Sequence, residues 1–187
     1  MRKFFLFVWE IVKVVSISLA IILPVRYYLI QPFYVKGASM EPNFHDHEYL
    51  IIDEISYRFK TPIRGQVIVF RYPKNPQEYF IKRLIALPGE EVQIKDGKVI
   101  IYNSEKPEGF TLNESYLPAS LETLDNNGAK IEVGANEYFV LGDNRNASKD
   151  SRSFGPVDKT FITGKVLFRG WPLEKITIFN KDYWPTY

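Results

Sequence analysis

An almost unbroken apolar run near the N-terminus constrains this chain of 187 residues more than any other feature. The run covers residues 4–25 and is interrupted only by Glu10, Lys13 and two serines. A helix of this length, rising about 1.5 Å per residue, is long enough to cross the hydrocarbon core of a bilayer. We therefore predict that residues 1–28 form a short cytoplasmic N-terminus followed by a transmembrane anchor.

The few charges around the run refine this prediction. Glu10 and Lys13 are three positions apart, so they share a helix face and can pair. Arg2 and Lys3 precede the run and favour a cytoplasmic N-terminus, although Arg26 behind it weakens the asymmetry. Two alternatives remain at this stage: a cleaved secretion signal, or the buried helix of a soluble protein.

Behind the anchor, residues 29–187 have the pattern of a mostly β domain, large enough for one substantial core. The predicted strands cover residues 48–55, 66–72, 79–87, 91–95, 98–102, 131–133, 137–141 and 163–169. Asp96 and Gly97 stand between two of these strands and indicate a type I′ hairpin. Residues 103–130 are polar and are predicted to form a surface insertion.

Composition removes several kinds of site. The chain has no Cys, which excludes disulfides, thiolate metal sites and Cys nucleophiles. It has only two histidines, His45 and His47, which we interpret as solvated turn residues rather than metal ligands or a catalytic base. A net charge of +2 does not indicate a nucleic-acid partner. A hydrolase built from this sequence is therefore expected to use another base and no metal or other cofactor.

The segment Gly37-Ala38-Ser39-Met40 is the first candidate for chemistry. Its two small residues leave room for a substrate backbone beside the Ser39 hydroxyl. Pro42 predicts a helix that begins directly after it, and amides near such a helix start can stabilise an oxyanion. The plain alternative is a turn with no function.

The second candidate lies in the predicted strand 79–87, where Lys82 and Arg83 are adjacent. Neighbouring residues of a strand point to opposite faces, so one of the two cations lies among apolar side chains unless the strand is at an edge. Burial lowers the pKa of a lysine and lets its neutral amine accept a proton, which is what a Ser nucleophile without a histidine needs. The alternative is a solvated Lys-Arg pair.

The third candidate is a dense polar loop, residues 142–152, that follows the apolar strand 137–141 directly. Such loops on rigid strands are frequent functional sites, because the strand fixes where the polar groups lie. The loop has enough donors and acceptors to orient a catalytic lysine or to form buried ion pairs. The alternative is an ordinary turn rich in Asn and Asp.

Together these three motifs resemble bacterial type I signal peptidases, which are membrane-anchored Ser–Lys endopeptidases. The resemblance covers residues 31–171 and is carried by three ordered motifs. They are Gly37-Ala38-Ser39-Met40, then Phe80-Ile81-Lys82-Arg83 with Leu87-Pro88-Gly89-Glu90, and Gly142-Asp143-Asn144-Arg145 with Ser148, Asp150, Ser151 and Arg152. The fold implied is a domain of coiled antiparallel β-sheets, in agreement with the strand pattern.

The resemblance also implies roles for individual residues. Ser39 matches the nucleophile, Lys82 the general base, and Ser148 the hydroxyl that orients the lysine. The Ser39 amide matches one oxyanion donor. Gly37 stands where some members have a Ser whose hydroxyl is the second oxyanion donor. In this chain the second donor would be a backbone amide or a water. The matched structural ion pairs are Asp143 with Arg83 and Asp150 with Arg152, and the matched pocket residues are Phe33, Val35, Met40, Phe44, Phe80 and Ile81.

The activity implied is removal of N-terminal signal peptides from exported preproteins after a small-x-small motif. The resemblance places the catalytic domain outside the bacterial cytoplasmic membrane, on a single-pass anchor. The expected partners are signal peptides, the bilayer and the protein-export machinery. Two alternatives are a self-cleaving Ser–Lys peptidase of the repressor type, and a non-catalytic anchored β module that binds peptides.

Overall fold

The apolar run forms a single helix, α1 (Arg2–Pro24), in the computed structural model of this protein, which describes residues 2–24, 30–124, 128–180 and 183–184. The stretch Arg2–Leu23 is long and apolar enough to cross a membrane, and none of it is buried against the rest of the protein. This exposure argues against the buried-helix alternative. Glu10 and Lys13 form the predicted pair, with 2.9 Å between Oε1 and Nζ. Residues 25–28 of the predicted anchor lie outside the described residues.

The remaining described chain is mainly β. The strands are β1 (Ile30–Tyr34), β2 (Tyr49–Asp53), β3 (Val67–Tyr72), β4 (Asn75–Ala86), β5 (Glu91–Lys95), β6 (Lys98–Tyr102), β7 (Phe110–Thr111), β8 (Ile131–Glu132), β9 (Glu137–Leu141), β10 (Val157–Asp158), β11 (Ile162–Trp171) and β12 (Thr177–Ile178). Two short helices, α2 (Ser56–Phe59) and α3 (Ser151–Phe154), and two 3₁₀ turns, Lys159–Phe161 and Leu173–Lys175, complete the elements.

The strands form two antiparallel sheets, which confirms the predicted fold class. The larger sheet has the order β1-β2-β11-β3-β4-β9-β10, with β12 paired to β11, and the smaller has the order β7-β6-β5-β8. Strand β4 lies inside the larger sheet, between β3 and β9, and buried hydrophobic clusters lie around it. Ile81 and Leu84 point to opposite faces of β4 and belong to different clusters, so the strand is covered on both faces along its second half.

The hairpin between β5 and β6 forms at the predicted positions. Asp96 and Gly97 have φ values of +51° and +74°, as both central residues of a type I′ turn require. Strand β1 was not predicted, since Pro32 lies in its centre and proline is tolerated only where a strand is at an edge. Here β1 is the edge strand of the larger sheet, paired with β2 alone. The strands β7, β10 and β12 are two residues long and give no periodic pattern.

Residues 103–130 are more than the predicted surface insertion. Strand β7 pairs with β6, and the side chains of Leu112 and Thr123 are buried. Glu114 pairs with Arg145, a guanidinium that is itself buried. A buried charge needs a partner, so the part of this segment around Glu114 packs against the polar loop.

The C-terminal aromatic residues divide between core and surface. Trp184 is 3% exposed and stacks on Phe179, whereas Trp171 is 51% exposed. The side chains of His45 and His47 are 42% and 73% exposed, as expected for solvated turn residues.

Candidate active site

Ser39 lies in a tight loop between β1 and β2. Hydrogen bonds from Val35 N to Glu48 O and from His47 N to Val35 O close the base of this loop. The predicted helix after Pro42 is wrong: residues 39–43 form turns, with one helix-like bond from Phe44 N to Met40 O.

A side chain from another strand explains why the turn does not continue as a helix. Arg169 on β11 donates from Nη2 to the carbonyl of Asn43 at 2.6 Å. This bond occupies the Asn43 carbonyl, which a continuing helix would use as an acceptor, and it connects the serine loop to the sheet.

Lys82 reaches Ser39 from β4. Its Nζ donates to Ser39 Oγ at 2.6 Å and to the carbonyl of Ile81 at 2.8 Å. The lysine is 3% exposed, so the contact is screened from water on the lysine side. A hydroxyl and an amine that are 43 positions apart in sequence are thus held in direct contact.

Burial lowers the pKa of Lys82 from 10.5 to about 8, because the ammonium loses its hydration. The carboxylates of Asp150 and Asp143 act in the opposite direction and raise it. The net result is an amine that is neutral in a large fraction of molecules near pH 8. Such an amine can accept the proton of a hydroxyl with which it is in contact.

Two buried ion pairs support the strand and loop around the lysine. Arg83 donates from Nε and Nη2 to both carboxylate oxygens of Asp143, at 2.8 and 2.6 Å. Arg152 donates from Nε and Nη2 to Asp150, at 2.8 Å each. Both cations of the Lys82-Arg83 dipeptide are therefore buried, because β4 is covered on both faces.

Two contacts around these pairs were not predicted from the sequence. Asn43 in the serine loop donates from Nδ2 to Asp143 Oδ2 at 2.8 Å, across 100 positions of sequence. Arg145 donates to Glu114, Thr123 and the carbonyl of Gly142. No local pattern signals either contact, since each partner comes from a distant segment.

Ser148 makes no hydrogen bond to Lys82 in this structure, although the resemblance implied one. Within the described residues its Oγ is buried and has no hydrogen-bond partner. It instead lies against Gly142, whose Cα carries no side chain: a Cβ there would come within 2.1 Å of Ser148 Oγ. The same Cβ would lie 2.4 Å from the carbonyl oxygen of Ser39.

This packing predicts the effect of a single methyl group. Gly142→Ala is expected to displace the Ser39 backbone and lower kcat at least tenfold, with a loss of thermal stability, since contacts below 3.0 Å force the neighbours to move. Cleavage assays and thermal melting check this. Gly170→Ala is the matched control, because its nearest neighbour is a Phe168 ring atom at 3.2 Å, and unchanged activity in Gly142→Ala would contradict the prediction.

Gly37 does not supply the second oxyanion donor in this structure. Its amide donates to Asp46 Oδ1 at 2.8 Å, and a glycine offers no other donor. Its φ of +86° is a left-handed conformation that glycine adopts readily. The bond to Asp46 thus fixes the backbone just before Ser39. The Ser39 amide stays a candidate oxyanion donor in this loop.

A cavity of about 510 Å³ opens beside the Ser39–Lys82 contact. It is lined by Phe33, Tyr34, Lys36, Ser39, Glu78, Tyr79, Phe80, Ile81, Lys82 and Lys149. Three predicted pocket residues, Phe33, Phe80 and Ile81, are among them. The other three do not line the cavity: Val35, Met40 and Phe44 are at most 1% exposed and pack in the core beneath the loop.

A serine hydroxyl in contact with a buried lysine of lowered pKa, at a cavity in an antiparallel β domain, is the arrangement that a serine hydrolase with an amine base needs. The family described as signal peptidase, peptidase S26, matches residues 8–171. The chain belongs to this family, and it is therefore a serine endopeptidase.

Two relatives named as signal peptidases agree with this assignment. A probable signal peptidase I-2 from Synechocystis is 33% identical over 92% of this chain and 78% of its own length. Signal peptidase IB from Staphylococcus aureus is 32% identical over 90% of this chain and 92% of its own length. A crystal structure of a signal peptidase I from Enterococcus faecalis is 34% identical and covers 57% of this chain and 97% of that one, with a TM-score of 0.46.

Proposed function

We propose that Ser39 and Lys82 hydrolyse the peptide bond that joins a signal peptide to an exported preprotein. The observation that supports this most strongly is the buried 2.6 Å contact between Lys82 Nζ and Ser39 Oγ. The neutral amine takes the hydroxyl proton while Oγ attacks the scissile carbonyl carbon. The resulting tetrahedral intermediate collapses to an acyl-enzyme as Nζ returns the proton to the leaving amine. A water molecule then loses a proton to Nζ as its oxygen attacks the acyl carbonyl carbon. The bond between that carbon and Oγ breaks, Nζ returns the proton to Oγ, and the signal peptide leaves as a carboxylic acid.

The cavity supports a preference for small residues at the −1 and −3 positions of the signal peptide. Phe33, Phe80 and Ile81 occupy much of its wall, and bulky walls leave space for short side chains only. The Ser39 amide is the proposed donor to the oxyanion of the intermediate. An extended signal peptide would pass between these walls with its scissile carbonyl at Ser39 Oγ.

Ser148 is proposed to act after proton transfer. Its buried hydroxyl has no partner within the described residues of the free enzyme, and such a group is costly to leave unpaired. Once Lys82 becomes an ammonium it can donate an additional hydrogen bond. The Ser148 hydroxyl would then accept it and orient the lysine, which is the role implied by the family resemblance.

The apolar helix supports a location at the membrane. We propose that residues 1–28 form the cytoplasmic N-terminus and a single transmembrane span, and that residues 29–187 form the catalytic domain outside the cytoplasmic membrane. Arg2 and Lys3 before the span favour this orientation. Signal peptides emerge from the export machinery at this side of the bilayer, so that machinery is the proposed neighbour of the enzyme.

The lowered pKa of Lys82 predicts the pH dependence of cleavage. Only the neutral amine accepts a proton, so kcat should rise with pH through about 8 and then level off. Measuring kcat on a model preprotein from pH 6 to 10 checks this. A profile that is flat over this range, with chemistry rate-limiting, would count against the lysine base.

A further inference from the structure

Asn144 contacts the backbone on both sides of the nucleophile. Its side-chain Nδ2 donates to the carbonyl of Ala38 at 3.1 Å, and its own amide donates to the carbonyl of Ser39 at 3.1 Å. Neither the motif nor the family resemblance gave this residue a role. We propose that Asn144 is a positioning residue that aims and polarises the Ser39 N–H as an oxyanion donor. This inference rests on the proposed function of Ser39.

The first bond acts on the donor through one peptide group. The Ala38 carbonyl and the Ser39 N–H belong to the same planar unit and point in opposite directions across it. Ala38 O accepts from Asn144 Nδ2 and also from Glu41 N at 3.2 Å. Two donors at the oxygen end fix the plane of the peptide, and they polarise it so that its N–H becomes a better donor at the other end.

The second bond fixes the next peptide group. The Ser39 carbonyl belongs to the peptide unit that follows the nucleophile, and it accepts from the Asn144 amide. Both peptide planes that flank the Ser39 Cα are therefore held by one residue. In the part of the chain that the structure describes, the Ser39 N–H donates to no protein acceptor, so it is left for the substrate oxyanion.

Asn144 is itself held in place. Its Oδ1 accepts from Ala147 N at 3.2 Å, which turns Nδ2 towards Ala38. The residues on either side, Asp143 and Arg145, are buried and paired. A donor that is preorganised by such a rigid support needs no rearrangement when charge develops on the substrate, which is the main source of oxyanion stabilisation.

The experiment compares Asn144→Ala with Asn146→Ala, an exposed neighbour in the same loop. We expect Asn144→Ala to lower kcat about 10- to 100-fold with KM within about twofold, because the N–H is misdirected rather than removed. Affinity for a peptide aldehyde, which binds as a tetrahedral adduct, should fall by a similar factor. The pH midpoint of kcat should stay where it is in the wild type, because Asn144 does not contact Lys82. Asn146→Ala should match the wild type in every measurement.

Asn144→Asp, the melting temperature and Ser39→Ala distinguish a failure of the Asn144 inference from a failure of the proposed function. Asn144→Asp keeps the Oδ1 acceptor for Ala147 but loses the Nδ2 donor, and should show the same loss when measured at the alkaline plateau of kcat. Unchanged kcat in both variants would overturn the inference, as would a loss of kcat with unchanged aldehyde affinity. A loss that follows the melting temperature alone would also overturn it. Ser39→Ala in the same assay tests the proposed function separately, since cleavage by that variant contradicts the dyad whatever Asn144 does.

Discussion

Ser39→Ala and Lys82→Met should each lower signal-peptide cleavage by about 10⁴-fold or more, the largest effects expected for this protein. Without Ser39 there is no Oγ to form the acyl-enzyme. Without Lys82 the hydroxyl keeps its proton, because no other amine or imidazole of the described residues contacts it. The two residues act as one unit, so the double variant should be about as slow as either single variant. Cleavage of a purified model preprotein in detergent, followed by the appearance of the mature product, measures these losses.

The control for the charge change is Lys98→Met, which removes an exposed lysine from β6. It should cleave at the wild-type rate. Ser39→Ala should also keep the wild-type melting temperature to within a few degrees, since a single hydroxyl at the loop surface is lost. Either Ser39→Ala or Lys82→Met cleaving at more than a tenth of the wild-type rate would show that the dyad is not the catalytic pair.

Much of this fold follows from local pattern. Alternating residues and turn signals gave most of the longer strands, and Asp96-Gly97 gave the hairpin between β5 and β6. Local pattern could not predict which distant segments of the chain pair with each other. Strand β1 contains Pro32 and is a strand because its partner β2 accepts it at the edge of the sheet. The segment 103–130 is polar by composition, yet part of it packs on the polar loop, where Glu114 neutralises the buried Arg145.

The sequence predicted which residues form the site better than it predicted the hydrogen bonds between them. The three motifs identified Ser39, Lys82 and both ion pairs as members of one site, and the structure brings all of them together. The direction of individual donors depends on packing that no motif records. The amide of Gly37 donates to Asp46, and the hydroxyl of Ser148 lies against Gly142 without a hydrogen bond to the lysine.

Lys82 and Arg83 are adjacent on β4 and lie in different environments on the two faces of the sheet. Lys82 has no carboxylate in hydrogen-bond contact within the described residues, so burial outweighs the opposing effect of Asp150 and Asp143 and lowers its pKa to about 8. Arg83, its neighbour, points to the other face and is fully paired with Asp143. If β4 exposed Lys82 to solvent, the pKa of this lysine would not be lowered. If it exposed Arg83, the ion pair with Asp143 would not be buried. The interior position of β4 therefore supplies both the neutral base and the rigid support beneath it.

Asp143→Ala should produce the largest loss of stability among these variants, about 3–5 kcal/mol in the free energy of unfolding. Arg83 and Asp143 are 2% and 0% exposed, so the substitution removes the carboxylate that neutralises a guanidinium charge in a place that water does not reach. The Nδ2 of Asn43 loses one of its two acceptors at the same time and keeps only the Tyr116 carbonyl, which loosens the Ser39 loop. Urea unfolding of the detergent-solubilised protein, followed by Trp fluorescence, measures the change.

Two controls separate this loss from the mere removal of a charge. Glu91→Ala breaks the pair with Lys130, in which both side chains are 46% exposed, and should cost less than about 1 kcal/mol because water screens that pair. The double variant Arg83→Met with Asp143→Leu removes both buried charges and should recover most of the stability lost in Asp143→Ala, since apolar side chains can replace a buried ion pair. It should nevertheless remain slow in cleavage, because Asn43 still lacks its hydrogen bond to the Asp143 carboxylate. Asp143→Ala within about 1 kcal/mol of the wild type would mean that the Arg83 charge is satisfied without its carboxylate, and the pair would then not be the support of the site.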